Sequence, residues 1–543
     1  MGNYPLHDDA NPDRDPDRGD PIELEVFRHL FASIAEEMGE RLMRSAFSPN
    51  IKERRDFSCA LFDADGEMLA QAAHIPVHLG STPLSVRAVL DAFPPTTMRP
   101  GDRFVLNDPY AGGTHLPDIT VVEAVVLPAS PKRPAFYVAN RAHHADVGGI
   151  TPGSLPIGRH IDDEGLRIAP RRMDRHTVNW IADASRTPDE RRGDLLAQSA
   201  ALTLGVQRLT ELVEVYSLDT VAQRGKQLQD YAQRIMARVI GELPDGIYSF
   251  EDHLEDDGQG NTDIAIRCKL TIKDDHATVD LTRSDDQVAG PVNAVRAIAI
   301  SAVDYCFRCL ASMDLPGNGG MMRLIETITR PGSVVDAVYP APVAGGNVET
   351  SQRLVDVVFG ALAQAAPGRV PAASCGTMNN ITIGGTHPAT GQPFAYYETI
   401  AGGAGAGPSG PGGDALQTHM TNTHNTPIEA LEHAYPMRIE RYALADVLPT
   451  ASDQHTGGHG VARVYHFMTP VTVTLLTERR IRRPYGLCGG SPGLAGTNTL
   501  IHPDGRRETL PAKCTRDLPA ESSLEVITPG GGGWGRQSSG QCP

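Results

Sequence analysis

The chain has 543 residues, 40% of them hydrophobic, and a formal net charge of −17. That length accommodates about two to four domains around a large buried core. No apolar run approaches the roughly 18 residues of a membrane span, and the acidic balance argues against nucleic acid as partner, because phosphate binding rests on basic patches.

Residues 1–20, MGNYPLHDDANPDRDPDRGD, are polar and acidic, lack the apolar stretch of a signal peptide, and read as a disordered tail. Leu6 stands where a myristoylation signal carries Ser or Thr. The eight cysteines (Cys59, Cys268, Cys306, Cys309, Cys375, Cys488, Cys514 and Cys542) are scattered, which predicts a reduced, cytoplasmic protein. Cys306 and Cys309 form one CxxC in an apolar helical context with no second pair to complete a zinc site, so core packing is the expected role.

Residues 21–48 carry Ile22, Val26, Phe27, Leu30, Phe31, Ile34, Met38, Leu42 and Met43 at helical spacing, and Pro49 and Asn50 stop the helix. Residues 52–71 read as a hairpin, with strands at 59–62 and 68–70 around a turn at 63–66. A loop with His74 and His78 precedes a helix from Thr82. Three short apolar strands follow, at 104–107, 119–127 and 135–140. Residues 152–185 show little periodicity and are expected to cover the preceding loops. Residues 188–242 predict a long helical hairpin, N-capped by Thr187 with Pro188 at the first position and broken near 217–219.

Alternating strands are expected over 247–282, a helix over 293–313, a strand over 321–331, a helix over 350–366 and a strand over 471–477. The fold class is therefore mixed α/β (α+β) and multi-domain, with a long helical hairpin and a glycine-rich, strand-rich C-terminal part. The expected divisions are 1–20, 21–186, 187–246, 247–400 and 401–543.

The chemistry concentrates in NDPYAGGTHLPD (107–118) and RAHHADVGG (141–149). Both lie on glycine-rich turns at strand ends, where a sheet can hold side chains in place. His115, Asp118, His143 and His144 are candidate metal ligands, and Asp108 and Asp146 are candidate ligands, outer partners or bases. His74 and His78 are weaker candidates for lining the site. The residues alone leave two readings open, a metal site and a structural polar network.

Other chemistries find less support. There is no GxxxxGK[ST] phosphate loop, and GAGAG (403–407) lacks the strand-turn-helix context of a dinucleotide fold. A Ser/His/Asp hydrolase arrangement is poorly supported, and lone cysteines such as Cys59 and Cys375 are ordinarily buried and inert. A further polar cluster, QTHMTNTHNTPIEALEHAYP (417–436), holds His419, Asn422, His424, Asn425, Glu429 and Glu432. A helix starting at Thr426-Pro427 puts Glu429 in its first turn, and capping, inter-chain contacts and substrate binding explain the cluster equally well.

The strings DFSCALFDADGEMLAQ, HIPVHLGS, NDPYAGGTHLPDIT, AHHADVGG, GNVETSQRLVDVVFGAL, TNTHNTPIEALEHAYP and TPGGGGWG resemble the hydantoinase B/oxoprolinase family in order from 23 to 535. The resemblance implies an ATP-dependent enzyme. Family members open cyclic amides (hydantoins, 5-oxoproline, lactams) or carboxylate ketones such as acetone and acetophenone. It implies a hydantoinase A-type partner that binds ATP and Mg, in a heterotetramer or larger assembly. His and carboxylate donors suit a divalent Mn, Zn or Fe, and the acetone carboxylase branch of the resemblance implies manganese held by two histidines and an aspartate. By motif these fall on His115, Asp118 and one of His143 and His144. The segment LADVLPTASDQHTGGHGVARVYHF, with His455 and His459, departs from the basic, glycine-rich stretch of many members.

The expected mechanism has the partner phosphorylate an amide carbonyl and this chain supply metal-activated water, with Asp146 or Asp108 orienting or deprotonating it. Arg54 and Arg353 are candidates to hold phosphate or carboxylate, and Glu429 to contact substrate. The alternatives are a ketone carboxylase subunit and a structural scaffold for a catalytic partner.

Overall fold

The structure, a computed structural model, describes residues 20–536 except 73–74, 79, 312–314 and 446–452. The expected N-terminal tail, His74 and part of the divergent segment before His455 lie outside the described residues.

Helix α1 (Pro21–Ser45) is the amphipathic helix expected from the apolar spacing. Asp20 Oδ1 accepts the Ile22 amide at 2.8 Å and Pro21 opens the first turn, which together fix its start. A one-turn helix α2 (Pro49–Lys52) leads into the first sheet. That sheet contains β1 (Phe57–Asp63), β2 (Met68–Gln71), β3 (Arg103–Leu106), β4 (Asp118–Val125), β5 (Phe136–His143) and β6 (Arg171–Arg172) in the order β2-β1-β5-β4-β3-β6. Every pairing in it is antiparallel.

Strand alternation gives this sheet two apolar faces. Ala60, Phe62, Phe104, Val122, Tyr137 and Ala139 pack with Val86 and Val89 of α3 (Thr82–Ala92). Cys59, Leu61, Val105, Val121, Phe136 and Val138 join a cluster with α1 and the helical hairpin. The two-sided burial explains why these strands read as continuous apolar runs.

Residues 152–185, where no element was expected, hold α4 (Ile161–Glu164), β6 and α5 (Arg175–Asp183). Asp174 caps α5 by accepting the Thr177 amide at 2.7 Å. The hairpin comprises α6 (Pro188–Tyr216) and α7 (Leu218–Gly241), turning at Ser217, whose φ is 70°. Thr187 takes the N-cap position, but its hydroxyl makes no capping bond.

A second sheet contains β7 (Gly246–Asp256), β8 (Thr262–Lys273), β9 (His276–Asp280) and β10 (Ile325–Ile328), with β10 parallel to β9. The strand expected over 321–331 is confined to β10, because Asn318 caps a 3-10 turn at Gly319–Leu324. Helices α8 (Arg296–Leu310) and α9 (Ser351–Ala365) complete the large apolar cluster, and a single π-helical turn, Gly346–Thr350, runs straight into α9.

The C-terminal part is strand-rich. Strands β11 (Asn380–Thr386), β12 (Pro393–Thr399), β16 (Val471–Leu476) and β19 (Lys513–Leu518) form one sheet. Strands β13 (Met437–Leu444), β15 (Val461–Phe467), β17 (Thr497–Ile501), β18 (Arg507–Thr509) and β20 (Ser522–Ile527) form another, which follows α10 (Ile428–Ala434). Strands β14 (Asp453–His455) and β21 (Trp534–Arg536) pair separately. A second apolar cluster lies between the two larger sheets, built from residues such as Ile383, Tyr396, Tyr465, Val473 and Leu524.

The fold is thus α+β, with helices and several sheets. Among the described residues six cysteines are free thiols, whereas Cys488 is disulfide-bonded, against the expectation of a fully reduced chain. No helix among the described residues is long and apolar enough to cross a membrane.

Candidate metal centre

Strand register builds the centre. In the β4–β5 ladder Asp118 pairs with His143 and Thr120 with Arg141. Directly opposed residues project to the same face, so Asp118, Thr120, Arg141 and His143 share the face covered by α3. Arg141 fixes that face by donating to Thr120 Oγ1, Ser81 Oγ and Ser85 Oγ at 2.9, 2.6 and 2.7 Å. The loop before β4 brings His115 to the same end. Asn107 pins the loop, donating to the Leu116 and Leu166 carbonyls at 2.7 and 2.9 Å and accepting from the Ile168 amide at 2.6 Å. Gly112 is required there: its φ is +87°, and a Cβ would lie 2.5 Å from the Leu84 carbonyl oxygen.

Three donor atoms converge. Asp118 Oδ1 lies 3.1 Å from His115 Nε2 and 3.2 Å from His143 Nδ1, and each of these residues is at most 2% exposed. Their ligand atoms all fall within 4.8 Å of one another. The other carboxylate oxygen is held in place. Thr114 donates to Asp118 Oδ2 at 2.8 Å, and His78 Nε2 lies 3.3 Å from it while its Nδ1 meets Ser58 Oγ at 2.9 Å. Residues far along the chain close the centre. The Asn347 amide nitrogen lies 3.0 Å from His115 Nε2, and the Tyr397 ring stacks on His143 with centroids 4.6 Å apart. The His143 amide donates to the Asp56 carbonyl at 2.9 Å.

Burial alone would raise the Asp118 carboxyl, but the fields of His115 and His78, with hydrogen bonds from His115 and His143, hold it well below the usual carboxylate range. Burial pushes His143 and His78 the other way, toward the neutral imidazole. Burial also raises the Asp56 carboxyl, against the fields of His143 and Arg54. An ionised Asp118 and a His143 held toward the neutral imidazole are protonation states that metal ligation needs.

The donor set fits a divalent ion. Two imidazole nitrogens and one carboxylate oxygen suit Mn, Zn or Fe. His115 Nδ1 and His143 Nε2 have no hydrogen-bond partner, so no network within the chain exhausts either ring. The grip of Thr114 and His78 on Oδ2 leaves Oδ1 facing the two rings, the outer support expected of a metal-ligating carboxylate.

The remaining candidates sit elsewhere. His144 projects to the opposite face, where its Nε2 meets Gln198 Oε1 of α6 at 3.0 Å, and burial lowers it to about 4. Asp146 is fully engaged: its oxygens accept from the amides of Gly148, Gly153 and Arg186 and from Arg186 Nη1, all within 3.1 Å. Asp108 caps a 3-10 turn through the Tyr110 amide at 3.1 Å and faces Arg167.

Arg54 is buried near the centre, with its guanidinium 4.7 Å from the Tyr397 ring centroid and donating to the Tyr397 carbonyl at 2.8 Å. Arg353 is buried among Glu478, Asp252 and Asp356. Glu429 is exposed in the first turn of α10, as expected. His455 and His459 lie by the C-terminal glycine loops. Asp56, Asn347 and Tyr397 were not singled out from sequence. Asp56 opens the string DFSCALF and Asn347 lies in GNVETSQR, but no spacing rule connects either with His115.

The family profile described as Hydantoinase B/oxoprolinase matches residues 20–537. An uncharacterised protein of Methanocaldococcus jannaschii is 38% identical over 95% of this chain and 91% of its own. 5-Oxoprolinase 1 of Arabidopsis thaliana is 39% identical over 95% of this chain, which spans only 42% of that protein's length. The crystal structure of the ATP-dependent caprolactamase from Pseudomonas jessenii superposes with a TM-score of 0.87 at 28% identity, covering 95% of this chain and 91% of that one. A nucleotide-free acetone carboxylase shares the fold, with a TM-score of 0.84 at 16% identity over 95% and 76% of the two chains. With the profile covering nearly its whole length, the chain belongs to the hydantoinase B/oxoprolinase family.

Proposed function

We propose that this chain is the B-type subunit of an ATP-dependent cyclic amidohydrolase, opening a hydantoin, 5-oxoproline or lactam ring together with a hydantoinase A-type, ATP-binding partner. The observation that carries this reading is the convergence of His115 Nε2, Asp118 Oδ1 and His143 Nδ1, all on buried residues. Relatives named as 5-oxoprolinase, as caprolactamase and as a component of a D-/L-hydantoinase support the substrate class. The absence of a GxxxxGK[ST] loop from the sequence is in keeping with ATP and Mg on the partner.

His115, Asp118 and His143 would hold the divalent metal, with Mn, Zn and Fe the candidates. When bound, such an ion supplies a Lewis acid that polarises a carbonyl or acidifies water near neutral pH. The chain's own residues prepare that site. Thr114 and His78 orient Asp118, Asn347 orients His115, and the Tyr397 ring fixes the plane of His143. Asp56, raised by burial beside His143, is placed to take or give a proton. The near-complete burial of His115, Asp118 and His143 excludes bulk water and so protects an activated substrate from loss.

The test is turnover by the co-purified pair of chains. ATP consumption coupled to ring opening of 5-oxoproline, hydantoin or caprolactam is expected, with product formation lost in His115→Ala and Asp118→Asn. ATP-dependent bicarbonate fixation onto acetone or acetophenone, with no ring opening, would move the assignment to a ketone carboxylase. Full activity and full metal content in both variants would leave only a scaffold role.

A further inference from the structure

Residues 346–350 form one π-helical turn, and all five are buried. Such turns are costly insertions that concentrate at functional sites. This one carries Asn347, which meets His115, and two residues later Glu349, which is fully buried. Glu349 Oε1 accepts the Met378 amide at 3.1 Å and Asn380 Nδ2 at 2.7 Å, while Oε2 has no hydrogen-bond partner. The other end of the Asn380 amide accepts the Tyr397 hydroxyl at 2.9 Å, and the Tyr397 ring stacks on His143 at an interplanar angle of 21°. One carboxyl thereby reaches both histidines of the centre, by two separate routes.

We propose that Glu349 is a positioning residue for this centre, setting Tyr397 against His143 through Asn380 and holding Asn347 against His115 through the turn that both occupy. The proposal rests on reading His115, Asp118 and His143 as metal ligands. Burial, helped by the field of Glu478 and opposed by Lys513 and by hydrogen bonds from Thr377 and Met378, pushes the Glu349 carboxyl up to about 8. Tyr397, Arg480 and Cys375 are the other titratable groups that sense its charge. At neutral pH Glu349 is therefore a carboxylic acid, and glutamine is its close neutral mimic. Alanine removes the acceptor of the Met378 amide and one of the two acceptors of Asn380 Nδ2, leaving that amide only the Leu476 carbonyl at 2.9 Å.

The experiment uses the full chain carrying Glu349→Gln or Glu349→Ala. Zn²⁺ and Mn²⁺ affinity are measured by competition with a chelator. The 15N spectrum of histidine-labelled chain is recorded without metal, with His143 assigned through His143→Gln. Glu349→Ala is expected to weaken metal binding about 10-fold or more, the scale of an outer-partner loss, and to shift the His143 resonance. Glu349→Gln is expected to restore both to near wild type.

Wild-type affinity and an unmoved His143 resonance in a folded Glu349→Ala chain would overturn the proposal. So would a Glu349→Gln chain as impaired as the alanine variant. Should the alanine chain fail to fold, Tyr397→Phe replaces it: a shifted His143 resonance is expected, and an unmoved one overturns the proposal. A wild-type chain that binds neither ion, yet shows the predicted His143 shifts, would remove the metal reading and keep the positioning role.

Discussion

Two buried clusters of charge in this molecule differ in kind. Around Glu478, three cations (Arg353, Arg479, Lys513) meet three carboxylates (Asp252, Asp356, Glu478). Each charge has an opposite partner in place, although Arg353 Nε, Arg479 Nε and Asp356 Oδ1 make no hydrogen bond. Around Asp118 the partners are histidines, two of them held toward the neutral form by burial, and among the described residues no lysine or arginine forms an ion pair with it. Two ring nitrogens there have no partner at all. A charge-balanced network stabilises a fold or breaks it, whereas a centre in which one ionised oxygen faces two imidazole nitrogens is arranged to receive a cation.

The sharpest way to break this contrast is to open the charge-balanced network. Glu478→Ala would take from buried Lys513 its nearest carboxylate and from Arg353 one of three, and is expected to cost about 3–5 kcal/mol in urea unfolding. Metal affinity of the chain that remains folded should be unchanged. Equal loss of metal would mean that the two clusters act as one.

The next effect tests burial rather than pairing. Glu164 is fully buried, accepts the Val343 and Ala344 amides at 2.6 and 2.8 Å, and is pushed by burial up to about 8 from its ordinary 4.5. A folded-state value above the unfolded one gives stability that is fully present below the unfolded value and lost as pH rises through about 8. Glu164→Gln removes that titration. Its unfolding free energy relative to wild type should therefore climb between pH 5 and pH 8.5, by on the order of a few kcal/mol. A difference independent of pH would contradict the assignment.

Smaller changes sharpen the other side. Asn347→Ala should weaken metal binding about 10- to 100-fold while leaving the thermal midpoint within a few degrees. Glu429→Ala, at an exposed helix start, should stay within about 0.5 kcal/mol of wild-type stability and keep full metal affinity. A large effect of Glu429 on substrate KM in the assembled enzyme would instead place it at the substrate.

Much of the fold was legible because the segments were strongly patterned. The apolar spacing of α1, the hairpin β1–β2, the long pair α6–α7 and the alternation of β7 to β9 all follow from periodicity. Helix α5 was missed because nine residues give little more than two turns of pattern. The loops carrying His115 and Asp118 stood out through their glycines and clustered donors. His143 and His144 are inseparable by composition. Only the register that pairs Asp118 with His143 sends one to the centre and the other to Gln198. Asn347 and Tyr397 arrive from more than 200 residues away, and no local rule foretells that. Arginine was ambiguous for a physical reason: the same guanidinium that suits a phosphate suits a carboxylate of its own chain, which is where Arg353 is found.

The metal content of purified full-length chain, after equilibration with Zn²⁺ or Mn²⁺ and dialysis, tests the central claim most directly. Wild type and His144→Ala should each retain about one equivalent, and His143→Ala should retain essentially none. Metal kept in full by His143→Ala, or lost from a folded His144→Ala chain, would contradict the account.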